Sequence, residues 1–231
     1  MKLTSKRIII SLIIIIYPLI PNAGNDWKLV TDENDIVLYV REVSGHAEAQ
    51  FKGVCTVGKP IEAVGSILSD IASYPKWFFK CIEAQKLPSE NSSDLHFFLY
   101  VAIDTPWPFS DRDAVYETKI TIDDFLGKVV VRSHAVKEPL IPLRHQYVRI
   151  TDSEHQWILE KISPESTRIT FINRTNAGGP FAGYISNPGI RDTTLYSLKN
   201  LKKIESSGSH LSAVSFKVKL YCLRNCGMLY R

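Results

Sequence analysis

Catalytic signatures are missing from this chain. Gly-x-Ser-x-Gly, His-Glu-x-x-His and a phosphate-binding loop occur nowhere in its 231 residues, so the motif-borne hydrolase, metalloprotease and nucleotide-dependent readings have no support. The six histidines, His46, His96, His134, His145, His155 and His210, fall at no metal-ligand spacing. Cysteines are few. Cys55 and Cys81 sit in apolar stretches and read as buried thiols. Cys222 and Cys226 could close a small loop, and no histidine or second cysteine pair beside them suggests a metal. An even count in an exported chain permits disulfides in any of three connectivities. Internal repeats and low-complexity tracts are absent. A strong excess of one charge is absent too. Without its first 23 residues the chain loses Lys2, Lys6 and Arg7 and no acid, and the formal net charge falls from +4 to +1. Bulk charge therefore does not point to nucleic acid as a partner.

What is present begins with a leader. The three basic residues precede an apolar run from Ile8 to Ile20 and then Pro21-Asn22-Ala23. This is the order of a secretory signal, with Pro21 in the outer position where a small residue is usual. The apolar run is short for a spanning helix. The expectation is an exported protein, periplasmic or secreted, anchored to the membrane if the leader is retained. Domain boundaries follow: 1–23 signal peptide, 24–206 folded domain, 207–231 basic tail. From Ser206 onward there is no acid, and Lys217, Lys219, Arg224 and Arg231 are all positive. The tail, with the lysines of the last helix, either favours an anionic membrane surface or is simply solvated.

Periodicity organises the middle. Trp27–Val30, Ile36–Val43 and Ala49–Val57 are strand patterns. After Pro60, the stripe Ile61, Val64, Ile67, Leu68 and Ile71 predicts a helix. Strand patterns then cover Cys81–Leu87, Leu95–Ile103, Asp113–Ile122, Lys128–Val136, Tyr147–Glu160 and Thr167–Thr175. A last helix is predicted from about Arg191 to Glu205, with Leu195, Leu198, Leu201 and Ile204 toward one side. Runs of consecutive strands between helices mean an antiparallel sheet and place the chain in the α+β class. Between two of these strands lies Asp104-Thr-Pro-Trp107-Pro-Phe109-Ser-Asp111-Arg112-Asp113. Two prolines stiffen this loop, and it carries aromatics where a plain hairpin would carry Asn-Gly. Arg112 and Asp113 open the next strand, so they face opposite sides and one charge points inward.

These residues resemble a START domain, the lipid-transfer member of the helix-grip superfamily. The resemblance rests on Trp27-Lys-Leu-Val with Asp35-Ile-Val-Leu-Tyr39-Val-Arg41, on Phe51-Lys52-Gly53, and on Ile67-Leu-Ser-Asp70 followed by Tyr74-Pro-Lys-Trp77. It continues through Pro106-Trp107-Pro108, Ser110 and Arg112-Asp113 to Gly178-Gly179-Pro180 and the leucines at 195, 198 and 201. It covers Trp27 to Glu205 and looks closest to short bacterial members. An N-terminal helix found in longer members is not in evidence before the first strand, and the basic tail is an addition.

The resemblance implies a helix-grip fold, a curved antiparallel sheet gripping the long C-terminal helix around an apolar tunnel that holds a lipid, sterol or other hydrophobic ligand. It implies that the Thr105–Asp111 loop and the last helix form mouth and lid. Arg112 would then meet the ligand's polar head, with Asp94 one candidate for its carboxylate partner. The alternative for Arg112 is a structural ion pair. Trp107 and Phe109 are expected at the mouth, where Trp107 also suits a membrane interface. Phe97, Leu99 and Val101 are expected to face the tunnel from one face of their strand, with Leu198 contributing from the last helix. Trp77 reads as core. Asp113 reads as a surface or turn-capping carboxylate, and Asp111 as solvated. The function these readings support is a monomeric binding module, without cofactor or metal, that carries or presents one hydrophobic molecule across an aqueous compartment and touches membranes transiently. The alternative is an enzyme of cyclase or hydrolase type using the same cavity, since fold alone does not decide function.

Overall fold

The computed structural model describes residues 26–90, 92–137 and 140–206. The leader, the basic tail, Cys222 and Cys226 lie outside the described residues. Three strands open the domain: β1 (Lys28–Glu33), β2 (Ile36–Arg41) and β3 (Gln50–Val57). Asn34 and Asp35 both take positive φ, 54° and 57°, which is the backbone a two-residue hairpin turn demands and which Asn and Asp tolerate best. Helix α1 (Ile61–Ser69) follows, then a 3₁₀ turn (Ile71–Ser73) and the short α2 (Tyr74–Trp77). Ile61, Val64, Ile67 and Leu68 of α1 are buried, so the apolar stripe is what docks the helix. Seven strands come next: β4 (Cys81–Leu87), β5 (His96–Ile103), β6 (Asp111–Asp123), β7 (Lys128–Ala135), β8 (Tyr147–Ile150), β9 (Asp152–Ser163) and β10 (Ser166–Asn176). Helix α3 (Ala182–Ser206) closes the described chain.

The strands form one ten-stranded sheet in the order β1-β2-β3-β10-β9-β7-β6-β5-β4. Adjacent pairs on this path are antiparallel; β8 lies off it and pairs in parallel with the start of β6. The concave face grips α3, whose Leu198 and Leu201 are fully buried beside Leu159, Ile169 and Phe171 of the sheet. Each such side chain contributes roughly 1.5–3 kcal/mol on burial. Among the described residues no helix is long and apolar enough to cross a membrane.

Two element boundaries differ from the sequence expectation. Tyr147–Glu160 is not one strand. It breaks at Thr151: its first part pairs with the start of β6, and the rest pairs with β7 and β10. Helix α3 begins at Ala182 rather than near Arg191, and runs through Pro188. Pro188 has no N–H to give the Tyr184 carbonyl, but Tyr184 is an exposed residue where water can replace that bond. Polar side chains anchor these extra turns to the sheet. Ser186 Oγ accepts from the Ala177 N–H at 3.0 Å, and Asn187 Oδ1 accepts from the Ala49 N–H at 2.9 Å.

Candidate functional site

Between the concave face and α3 lies a cavity of about 340 Å³. Strand alternation decides what it sees. Phe97, Leu99, Val101 and Ile103 of β5 line it, together with Ala114, Tyr116, Thr118 and Ile120 of β6. Val129, Val131 and Ser133 of β7 and His155, Trp157 and Leu159 of β9 continue the wall. Asn173 and Thr175 of β10, Leu68 of α1, and the first turns of α3 complete it. The lower half is aromatic: Trp157 stacks on Phe171 with centroids 3.9 Å apart and planes 8° apart, and Trp77 meets Trp157 edge-on at 5.9 Å.

The mouth is built by the segment between β5 and β6. The Thr105 N–H donates to Asp111 Oδ1 at 2.9 Å, which ties the loop's ends together. Phe109 folds inward, lines the cavity and packs on Phe181, just before α3, at 5.4 Å between centroids. Trp107 points away and is 92 % exposed.

Arg112 lies directly below. The residue is 4 % exposed and lines the cavity. Nε donates to the Ala177 carbonyl at 3.2 Å and Nη1 to the Ser110 carbonyl. Among the described residues it makes no ion pair with a carboxylate within 4 Å. Burial holds its pKa below the ordinary value, with Asp111 acting the other way. Gly178 and Gly179, at φ +67° and +70°, turn the chain so that the Ala177 carbonyl reaches Arg112. A Cβ on Gly178 would come within 3.3 Å of the Arg149 carbonyl.

His155 sits midway down. Its ring lies 4.8 Å from Tyr116 and edge-on to Phe171 at 5.9 Å. Burial alone pushes its pKa down to about 4, so the imidazole is neutral near pH 7. Burial likewise pushes Tyr116 up to about 12. Tyr116 Oη donates to Ser153 Oγ at 3.2 Å, and Ser153 Oγ lies 3.2 Å from His155 Nε2.

One group could be considered for a cation. His46, Glu48 and Asp152 place ligand atoms within 4.8 Å of one another. These groups are already engaged: Arg174 donates twice to Asp152, at 2.7 and 3.1 Å, and Asn176 Nδ2 donates to Glu48 at 2.7 Å. The Arg174 guanidinium serves as the cation that Asp152 needs.

No family model matches the chain. An uncharacterised protein of Pseudomonas aeruginosa is 27 % identical over 184 residues, 78 % of this chain and 89 % of that protein. The phosphatidylcholine transfer protein of Rattus norvegicus is 23 % identical over 184 residues, 78 % of this chain and 84 % of that protein. The crystal structure of a STAR-related lipid transfer protein from Xanthomonas axonopodis superposes with a TM-score of 0.71 at 26 % identity. That match covers 79 % of this chain and 99 % of that one. The fold is the helix-grip fold of START domains.

Within this START-like domain the residues singled out from sequence separate. Arg112, Phe109, Phe97, Leu99 and Val101 are brought together around one cavity. Two are not. Trp107 lies outside the mouth because the loop turns Phe109, not Trp107, toward the lumen. Leu198 is fully buried but packs on β3, where a Cβ on Gly53 would meet its Cδ1 at 2.5 Å; it belongs to the helix–sheet seam and not to the cavity wall.

Asp113 is also not a surface group. It is 1 % exposed and accepts from Arg149 Nε and Nη2 at 2.7 and 2.8 Å, with Tyr100 Oη donating to it at 3.4 Å. β8 pairs beside β6 with Arg149 opposite Asp113, and Ile141 and Tyr147 pack on this outer face against Tyr100, Ala102 and Val115. Asp94 precedes β5 at the end away from Arg112, because Ile103 is the β5 residue opposite Arg112. Trp77 is core, 1 % exposed, with no hydrogen-bond partner for its Nε1 among the described residues. Sequence reading passed over His155. The alternation Ser153, His155, Trp157, Leu159 was its signal, and it becomes decisive only once β10 is known to set Thr175, Asn173 and Phe171 opposite Ser153, His155 and Trp157.

Proposed function

We propose that this START-like domain binds one hydrophobic ligand, a lipid, sterol or similar molecule, in its cavity and carries or presents it across an aqueous compartment. The apolar cavity itself carries the reading: a space of about 340 Å³ walled by Phe97, Leu99, Val101, Ile120, Val129 and Leu159, with one buried guanidinium under the mouth. An acyl chain placed there gains about 0.8 kcal/mol per methylene. Arg112 suits a ligand's anionic or acceptor head, because a guanidinium offers more N–H donors than the two carbonyls use. The names of the rat and Xanthomonas relatives support lipid as the ligand class.

Exchange requires the Phe109–Phe181 contact to part. Trp107, Phe181 and Tyr184 are exposed aromatics on the two segments that make this contact and flank it in sequence, a composition suited to transient contact with a bilayer interface. The leader makes export to the periplasm or beyond part of the same proposal. Binding is favoured over catalysis because Ser153, the hydroxyl nearest His155 Nε2, is 2 % exposed and already held by Tyr116 and Thr175.

The test is native mass spectrometry of the full chain purified from cells, followed by solvent extraction and lipid identification. One co-purifying lipid near one-to-one is expected. A ligand-free protein that also takes up no fluorescent phosphatidylcholine, fatty acid or sterol would overturn the proposal.

A further inference from the structure

Most of the cavity wall is apolar, but one level of it is not. Thr118 and Ser133 face inward from β6 and β7 with their hydroxyls 2.9 Å apart. Beside them, β9 and β10 present Ser153 and His155 opposite Thr175 and Asn173. Tyr116 projects into the same level.

Counting protons assigns the direction of each hydrogen bond. Tyr116 donates its single proton to Ser153 Oγ at 3.2 Å. Thr175 donates its single proton to Asn173 Oδ1 at 3.1 Å. The 2.7 Å contact between Ser153 and Thr175 must then use the proton of Ser153. Ser153 has none left for His155, so the imidazole Nε2–H donates to Ser153 across their 3.2 Å. A neutral imidazole carries one N–H, and Nδ1 is left as an acceptor. Among the described residues, the hydrogen bonds of His155 run through Nε2 and that of Asn173 through Oδ1, which leaves His155 Nδ1 and Asn173 Nδ2 without a partner. Both residues line the cavity and stand opposite each other across β9 and β10.

We infer that His155 Nδ1 and Asn173 Nδ2 form a neutral recognition subsite for a hydroxyl group on the bound ligand, separate from Arg112 at the mouth. A hydroxyl donates to the first and accepts from the second. A carboxylate or phosphate meets the imidazole lone pair, and a hydrocarbon leaves both groups unpaired. The ligand class is therefore a hydrophobic alcohol: a lipid or polycycle with an uncharged hydroxyl on its apolar body. This inference rests on the proposed function and adds the chemistry of its ligand.

The test uses the neutral dye N-phenyl-1-naphthylamine, bound to the purified protein and displaced by 1-tetradecanol or by the methyl ether of the same chain. The ether keeps an acceptor and loses the donor. Wild type is expected to bind the alcohol about tenfold more tightly, the worth of one well-formed hydrogen bond. His155→Phe and Asn173→Leu are each expected to cut that preference to below threefold while holding the ether's affinity, with far-UV circular dichroism verifying the fold. Equal affinity of wild type for alcohol and ether would overturn the subsite and leave the carrier function standing. Failure of wild type to take up the dye, the alcohol or the ether would overturn both. Retained preference in a folded His155→Phe protein would overturn the assignment to His155.

Discussion

Acid should destabilise this protein through His155, in a pH range where most carboxylates are still ionised. The imidazole has an ordinary value of 6.5 and is pushed down to about 4 in the fold, with burial the cause. The sign follows from proton counting. Between these two values the unfolded chain holds a proton on His155 that the folded chain does not, so stability rises with pH there. The contribution is fully present above about pH 6.5 and is lost as pH falls toward about 4. The full shift corresponds to about 3 kcal/mol, and lowering the pH from about 7.5 to about 5 forfeits about 2 kcal/mol of it.

Urea unfolding followed by tryptophan fluorescence at a series of pH values measures this directly, because Trp77 and Trp157 are both buried near the histidine's ring neighbours. In thermal melts the same loss lowers the midpoint by about 4–8 °C for a domain of this size. His155→Phe keeps an aromatic ring against Tyr116 and Phe171 and cannot be protonated. Its stability should fall by less than about 1 kcal/mol over the same interval. Parallel pH–stability curves for wild type and His155→Phe between about pH 5 and 7 would refute the reasoning, since they would show that another group sets the slope.

Three further outcomes follow from the same geometry. Gly53→Ala places a methyl 2.5 Å from Leu198 Cδ1 and 3.1 Å from Thr194 Cγ2, and should cost about 1–3 kcal/mol by overpacking; Leu198→Ala alone should cost about 2–5 kcal/mol, and the double variant should lose clearly less than the sum in urea titrations. Asp113→Ala leaves Arg149 buried without its carboxylate and should cost about 3–5 kcal/mol, whereas replacing both with apolar residues should recover most of it. Arg112→Met should weaken binding of a phosphate-bearing lipid about tenfold in a fluorescent displacement assay and leave an uncharged alcohol's affinity within about twofold, because the alcohol's partner is His155.

Much of the fold could be read along the chain because its signals are local. The stripe from Ile61 to Leu68 places α1, and the alternation Phe97, Leu99, Val101 assigns the inner face of β5. What escaped depends on partners far away in sequence. Alternation puts Asp113 opposite Arg112 but says nothing of whether that outer face is wet. It is dry because Tyr100, Ala102 and Val115 pack there with Ile141 and Tyr147, while β8, drawn away from the rest of its predicted strand, sets Arg149 beside Asp113. The same local reading starts the last helix near Arg191; it begins at Ala182, and Ser186 and Asn187 of its added turns are bonded to the main chain of Ala177 and Ala49. Leu198 illustrates the opposite error. Its helical spacing marks it as inward, yet inward at that height means Gly53, where the missing side chain lets helix and sheet touch and leaves no room for a ligand.

The vertical order of the cavity decides how it can select. Affinity from the apolar wall grows by about 0.8 kcal/mol per methylene whatever the molecule is, so the wall discriminates chain length and little else. The band at His155 and Asn173 works by penalty. A molecule that covers Nδ1 and Nδ2 without bonding them forfeits about 1–3 kcal/mol for each group withdrawn from its partners. Each such loss equals the gain from roughly one to four methylenes, so a plain hydrocarbon, which incurs both, must be substantially larger than an alcohol to bind equally well, and a cavity of about 340 Å³ limits how much larger it can be. Arg112, 4 % exposed beneath the Phe109–Phe181 contact, acts at the other end. It rewards an anionic or acceptor head that reaches the mouth and does nothing for the group held below. Selection by two polar levels separated by a fixed number of strand residues, Arg112 to Tyr116 on β6 and Ala177 to Asn173 on the β10 side, reads the spacing between a ligand's head and its hydroxyl, which neither level can do alone.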